Sequence, residues 1–353
     1  MSTTGQHILV IRLSAMGDVA MTVPVLRIVL DRYPHLHITV VTRKSFLPFF
    51  QGIDRLNVHI ADFKGIHKGI WGLRKLAQEI NYLNIDAIAD LHDVLRSKAI
   101  RFFLPNSIKT CIIDKGRTEK SALTRQKNKI KKQLKTTHQR YADVFELLGC
   151  PVDLSVDLPI PQRNIAPKTE EILERLCPSI MEYSKWIGIA PFAKHQGKMY
   201  PIDLMEEVIA TLAEKSQLIV LFGGPEEYGT LQAIDNQYAN VINIAGKISL
   251  SEELALIQRL EYMISMDSAN MHMASLVGTR VISIWGATHP YAGFMGWRQS
   301  MNDALVPNAE IYPDLPCSVY GNKVYSGYEE CMRSIEPEEI VHAVMNLSTK
   351  SHH

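Results

Sequence analysis

The stretch 7-HILVIRLSAMGDVAMTVPVLRIVL-30 decides the fold. His7 to Leu13 is an apolar run of strand length, SAMGD is a tight turn, and from Val19 to Leu30 apolar residues recur at helical spacing. Strand, turn and helix in that order open a βα unit. Outward from it, His37–Val41 and Val58–Ile60 read as strands, Ile66–Leu83 as a helix and Ile85–Leu91 as a further strand. Such alternation predicts a parallel sheet covered by helices. Ile130, Leu134, Tyr141, Phe145 and Leu148 are spaced for one face of a helix stopping at Gly149, a residue at ease in the left-handed region.

The proline-bearing passage CPVDLSVDLPIPQRNIAPK carries turn residues and little periodicity, as an interdomain linker does. Beyond it the pattern restarts. Trp186–Ala190, Gln217–Phe222, Val241–Ile244, Tyr262–Met266 and Arg280–Trp285 read as strands, and Pro201–Lys215, Ser251–Leu260, Ser268–Leu276 and Ile335–Leu347 as helices. With 353 residues, more than one core usually accommodates, two doubly wound domains facing a central cleft are expected. Their bounds are set at 1–165 and 166–335, with a helix and tail over 336–353.

Composition narrows the function classes. Hydrophobic residues make up 46% and charged residues 21%, and no apolar run reaches the ~18 residues that would span a bilayer. The opening residues lack the pattern of a secretory signal, so a cytoplasmic protein is expected. Five cysteines (Cys111, Cys150, Cys177, Cys317, Cys331) without a CxxC argue against a zinc site or a disulfide scaffold, although Cys317 and Cys331 flank one loop. The net charge of +1 hides an asymmetry: Val94–Arg140 holds fourteen Lys and Arg against two Asp and Glu. Such a run suits an anionic membrane surface or a phosphorylated ligand, and equally a solvated basic helix over RQKNKIKKQLK. The aromatic platforms and recognition motifs that would specify nucleic acid are absent.

Three places carry candidate chemistry. In RLSAMGD, Gly17 lets a ligand approach the backbone and Asp18 stands at a helix N-terminus, where it serves either as a cap or as a catalytic carboxylate. In MDSANMHMASLVGTRVISIWGATHP, Asp267 and Ser268 end a strand and open a helix, whose free amides suit a diphosphate; His272 follows within that helix, and Thr288 edges the next loop. In IAPFAKHQGKMYP, Lys194, His195 and Lys198 set positive charge beside a strand's carboxyl end, where it neutralises a leaving diphosphate or faces only solvent. There is no GxGxxG, no P-loop and no Asp-x-Asp pair, so neither a dinucleotide cofactor nor a dedicated metal site is expected.

RLSAMGDVAMTVPVL, GKMYP and DSANMHMASLVGTRVISIWGATHP, in this order, resemble the heptosyltransferase family of lipopolysaccharide core assembly, glycosyltransferase family nine. The resemblance runs across most of the chain. It implies the GT-B fold, an inverting transfer from a nucleotide-diphospho-sugar such as ADP-heptose, and a lipid-linked glycan acceptor, with peripheral contact to an anionic membrane. By it Asp18 is the catalytic base and Lys198 the lysine on the donor phosphate. Lys194, Asp267, Ser268, Ala269, Asn270, His272 and Thr288 fall to the donor, and Ser14, Met16, Gly17, Arg96 and Lys98 to the acceptor. Ala269 and Asn270 stand where the family has glycine after the Asp-Ser pair. A sugar-nucleotide epimerase of the same fold and a non-catalytic sugar-nucleotide-binding module are the rival readings.

Overall fold

The computed structural model describes residues 6–215 and 217–348; the first five residues of the expected first domain and 349–353 of the expected tail lie outside the described residues. The chain divides into two compact units. One comprises the residues up to Lys115 with Lys135–Pro159, the other Gly116–Leu134 with everything from Ile160 on.

In chain order the elements are β1 (His7–Ile11), α1 (Met16–Ala20), α2 (Thr22–Arg32), β2 (His37–Thr42), β3 (Leu56–Ile60), α3 (Gly69–Asn81), β4 (Ala87–Asp90), α4 (Leu95–Phe103), β5 (Lys109–Ile112), α5 (Arg117–Thr124) and α6 (Thr137–Leu148). The strands form a parallel five-stranded sheet, ordered β3-β2-β1-β4-β5. β1 is central: Leu9 lies opposite Thr39 on one side and Ile88 on the other. Everything in β1 after His7 is buried, as a strand covered on both faces requires.

The second unit continues with α7 (Pro167–Leu176), β6 (Trp186–Ala190), α8 (Ile202–Ala213), β7 (Leu218–Leu221), α9 (Tyr228–Asp235), β8 (Val241–Asn243), α10 (Leu250–Arg259), β9 (Tyr262–Met266), α11 (Ala269–Leu276), β10 (Arg280–Ile284), β11 (Ala304–Leu305) and α12 (Pro337–Ser348). Its sheet is also parallel, ordered β11-β10-β9-β6-β7-β8. Ile189, Ile264, Ile284, Met205 and Val208 anchor a core between this sheet and α8. In a parallel sheet all carboxyl ends share one edge, so each unit gathers the loops after its strands along a single rim.

Three local expectations are corrected. The helix read over Val19–Leu30 is two helices meeting at Met21, because Pro24 has no amide to give the carbonyl of Ala20. The helix expected from Ile66 starts at Gly69, whose φ of +68° interrupts a right-handed turn. Ile130 and Leu134 do not join the face of α6: Thr136 caps that helix, its hydroxyl accepting from the Gln139 amide at 3.1 Å, while Gly149 closes it at φ +97° as the sequence implied.

The basic run is thereby divided. Gly116–Leu134, placed by the sequence within 1–165, packs with the second unit, and RQKNKIKKQLK is not helical. Leu123 and Leu134 bury themselves with Ala292 against Tyr291 and Phe294, and the Leu134 amide donates to the Tyr291 carbonyl at 2.9 Å. Lys129 donates to the carbonyls of Asp314 and Pro316, and Lys131 to that of Pro313. Burial, then Lys131, lowers the Lys129 ammonium to about 8.

Candidate active site

On the rim of the first unit the side chain that organises the loop after β1 is Arg12. Its amide still pairs with the Val41 carbonyl, continuing the β1–β2 ladder, while its guanidinium turns back beneath the loop. There it donates to the Leu91 carbonyl at 2.6 Å, lies 5.8 Å from the centre of the Tyr141 ring and meets Asp18 Oδ2 at 2.8 Å. Burial opposes the charge, but Asp18 and Tyr141 outweigh it and hold the guanidinium above its ordinary pKa. Asp18 is the third residue of α1, and its Oδ2 also accepts from the Ala15 amide at 3.3 Å. The carboxylate therefore both caps α1 and is aimed by an arginine. The Asp18 side chain keeps 30% of its surface, against 9% for Arg12.

Two further groups brace this turn. The Tyr141 hydroxyl donates to the Asp18 carbonyl at 3.2 Å, and the Leu13 amide donates to His92 Nδ1 at 3.3 Å. Burial, and then Arg12, drives the His92 pKa down to about 3, so the ring stays neutral and Nδ1 remains an acceptor. His92 is itself fixed by buried Asp90, which accepts from the His92 and Asp93 amides and pairs with Arg101 at 2.9 Å.

In the second unit the loop after β6 carries Lys198 to the end of β9. Lys198 Nζ sits 2.7 Å from Asp267 Oδ2 and donates to the Asp267 carbonyl at 3.1 Å. The side-chain exposures are 15% and 4%, so here the carboxylate is the buried partner. The lysine stem runs against Gly321: a Cβ there would lie 2.4 Å from Lys198 Cγ, and φ at Gly321 is +75°. Both facts require glycine. The loop backbone is tied in as well, the Ala287 amide donating to the Gly197 carbonyl at 2.7 Å.

Beside this pair starts α11. Its N-cap Ser268 makes no capping bond, its hydroxyl pairing with Ser265 Oγ at 3.2 Å, so the first amides of the helix are not capped by that side chain. Ser268, Ala269 and Asn270 are partly exposed, and His272 is buried. Thr288, after β10, is 1% exposed, and its hydroxyl has no hydrogen-bond partner among the described residues. A cation, helix amides that Ser268 leaves uncapped and an unsatisfied hydroxyl on one rim are chemically suited to an anion with several oxygens.

The sequence profile of Glycosyltransferase family 9 (heptosyltransferase) matches residues 73–319. The chain belongs to glycosyltransferase family 9. Lipopolysaccharide core heptosyltransferase OpsX of Haemophilus influenzae is 23% identical over 292 residues, 80% of this chain and 79% of that protein. Lipopolysaccharide heptosyltransferase 3 of Escherichia coli K12 is 24% identical over 285 residues, 77% of this chain and 80% of that one. Among solved structures, a family 9 glycosyltransferase from Veillonella parvula superposes with a TM-score of 0.74 at 21% identity over 99% of both chains. ADP-heptose lps heptosyltransferase II of E. coli superposes with a TM-score of 0.68 at 18% identity, over 99% of this chain and 100% of that one. The two-sheet α/β architecture is the GT-B fold of these enzymes. As a family 9 enzyme the chain transfers a glycosyl group.

Within this family 9 chain Ser14, Met16, Gly17 and Asp18 share one turn, Gly17 being buried inside α1 and the other three partly exposed. Arg96 and Lys98 lie on the outer side of α4, Arg96 over the Phe63 ring at 5.0 Å and Lys98 3.5 Å from Asp93. Lys194 is exposed on the loop that carries Lys198. The residues that sequence reading missed are Arg12, His92, Tyr141 and Gly321. Only Arg12 offered a signal, a charge ending an otherwise apolar strand. All five cysteines are free, and burial raises Cys331 to about 12.

Proposed function

We propose that this family 9 enzyme is an inverting heptosyltransferase that moves a heptose from ADP-heptose, or a close nucleotide-diphospho-sugar, to a lipopolysaccharide core or other lipid-linked glycan. The observation that carries the reading is Lys198, held on buried Asp267 beside the uncapped start of α11. The names of the relatives, lipopolysaccharide heptosyltransferases, and of the solved ADP-heptose enzyme support the sugar and the acceptor class.

In the proposed displacement Asp18 takes the proton of the acceptor hydroxyl while that oxygen bonds to the anomeric carbon. The bond from that carbon to the diphosphate oxygen breaks on the opposite face, which inverts the configuration. The charge growing on the departing diphosphate falls to Lys198 and the α11 amides, with Thr288 donating its hydroxyl. These groups supply the counter-charge without a metal. No helix among the described residues is long and apolar enough to cross a membrane, and the reading places the enzyme on the cytoplasmic side, meeting its acceptor at the bilayer surface.

The test is transfer from ADP-heptose to a heptose-deficient core acceptor with chelator present, followed by NMR of the new anomeric centre. A glycoside of inverted configuration formed with one ADP per linkage is expected. Retained configuration, or ADP released without a new glycoside, contradicts the proposal.

A further inference from the structure

Exposed large apolar side chains gather on the first unit where α3 and α4 begin. Ile66, Ile70 and Trp71 are 59%, 53% and 74% exposed, and Leu95 is 87% exposed. They are neighbours by construction. The 62–68 loop folds back onto the first turn of α3 at Gly72, where a Cβ would lie 2.2 Å from the His67 carbonyl carbon. Arg96, next to Leu95, covers Phe63 of the same loop. Around the apolar residues stand Lys64, Lys68, Arg74 and Lys75, and no Asp or Glu occurs from Phe63 to Gln78. Trp71, Arg74 and Lys75 share the exposed face of α3, with the Arg74 guanidinium 5.9 Å from the Trp71 ring centre. Single exposed apolar residues are ordinary, but a tryptophan and three aliphatic residues bordered mainly by cations, with the Asp62 carboxylate turned onto the amides of Lys64 and Gly65 and Asp93 paired with Lys98 and Arg101, form an interfacial surface. Tryptophan favours the headgroup level, and lysine and arginine reach from there to lipid phosphates.

We propose that this patch seats the enzyme on an anionic phospholipid bilayer. α3 and α4 follow β3 and β4, so their starts lie on the carboxyl rim that also carries Asp18. The seat deepens the lipid-linked acceptor reading above, which gives it a purpose, while the surface itself stands on its own geometry. It also relocates the membrane contact first read from the basic run, because Lys129 and Lys131 of that run are engaged by carbonyls of the second unit.

The test is co-sedimentation of the full chain with vesicles of phosphatidylethanolamine and phosphatidylglycerol, against vesicles of phosphatidylcholine alone. Wild type is expected to partition at least about tenfold better onto the anionic vesicles. Ile70→Ser/Trp71→Ser and Lys64→Glu/Lys68→Glu lose most of that partition, whereas Lys127→Glu/Lys132→Glu keeps it. A blue shift of tryptophan emission on anionic vesicles, absent from Trp71→Phe, gives a second readout that leaves the fold untouched. Equal partition on both vesicle types, patch variants that sediment like wild type, or a concentration-dependent dimer dissolved by the Trp71 variant would overturn the proposal. The patch variants should still glycosylate a water-soluble, delipidated core oligosaccharide at the wild-type rate. Wild type that binds the vesicles but transfers no sugar supports the seat and removes only the functional reading.

Discussion

Arg12 meets Asp18 at 2.8 Å on the rim of one unit and Lys198 meets Asp267 at 2.7 Å on the rim of the other, yet the pairs are built in opposite senses. In the first the cation is buried and the carboxylate reaches solvent. In the second the carboxylate is buried and the cation is the more exposed member. In each pair the buried partner fixes position and the exposed one is available for chemistry: a carboxylate that accepts a proton, and an ammonium that meets negative charge. In the function proposed, burial thus separates an acceptor-side base from a donor-side cation, although both sites hold one acid and one base at nearly the same spacing.

The largest effect should come from the exposed member of the first pair. Asp18→Asn is expected to lower kcat by about 10³-fold, with ADP affinity unchanged because nothing on the donor rim is altered; steady-state kinetics beside calorimetry checks this. Lys198→Ala should lower kcat/KM by about 10²-fold. It should also cost about 3 kcal/mol of stability, since Asp267 loses its counter-charge while still buried. Lys198→Ala/Asp267→Asn separates the two, recovering the denaturation midpoint but not the activity. Gly321→Ala sharpens the comparison from outside the pair. Its methyl meets the Lys198 stem and shifts the ammonium, so ADP affinity should fall by about tenfold, while its strained φ costs about 1–3 kcal/mol of stability and Lys198 itself is intact.

The effect that is smallest at neutral pH, and grows only on acidification, lies behind Asp18. The folded pKa of His92, about 3, is below its ordinary 6.5, so the unfolded chain takes up the proton first. The contribution of His92 is complete above about pH 6.5 and declines as pH falls toward 3. His92→Asn should therefore flatten the fall of melting temperature over that range relative to wild type, and an unchanged slope would remove the histidine from the account.

Much of this arrangement was legible in the sequence because it is local. The β1 strand and the SAMGD turn declare a βα unit within about a dozen residues, and MDSAN declares a strand end meeting a helix start. Both therefore placed Asp18 and Asp267 at the rims. What was not legible depends on distance along the chain. Arg12 is held by Leu91 and Tyr141, and the Tyr141 hydroxyl bonds a carbonyl 123 residues away. Gly321 shapes the path of a lysine that no periodicity connects to it. The basic run shows the same limit: composition counted its charges, but tertiary packing decided that Lys129 and Lys131 would face carbonyl oxygens. The exposed patch on α3 escaped notice because a tryptophan within an apolar helical pattern reads as core.

The division of labour between the two pairs is tested most directly by titrating ADP into wild type, Lys198→Ala and Asp18→Asn by calorimetry with chelator throughout. Metal-independent ADP binding that weakens by about tenfold or more in Lys198→Ala and is unchanged in Asp18→Asn is the predicted result. Equal affinity in wild type and Lys198→Ala, or a loss confined to Asp18→Asn, would contradict it.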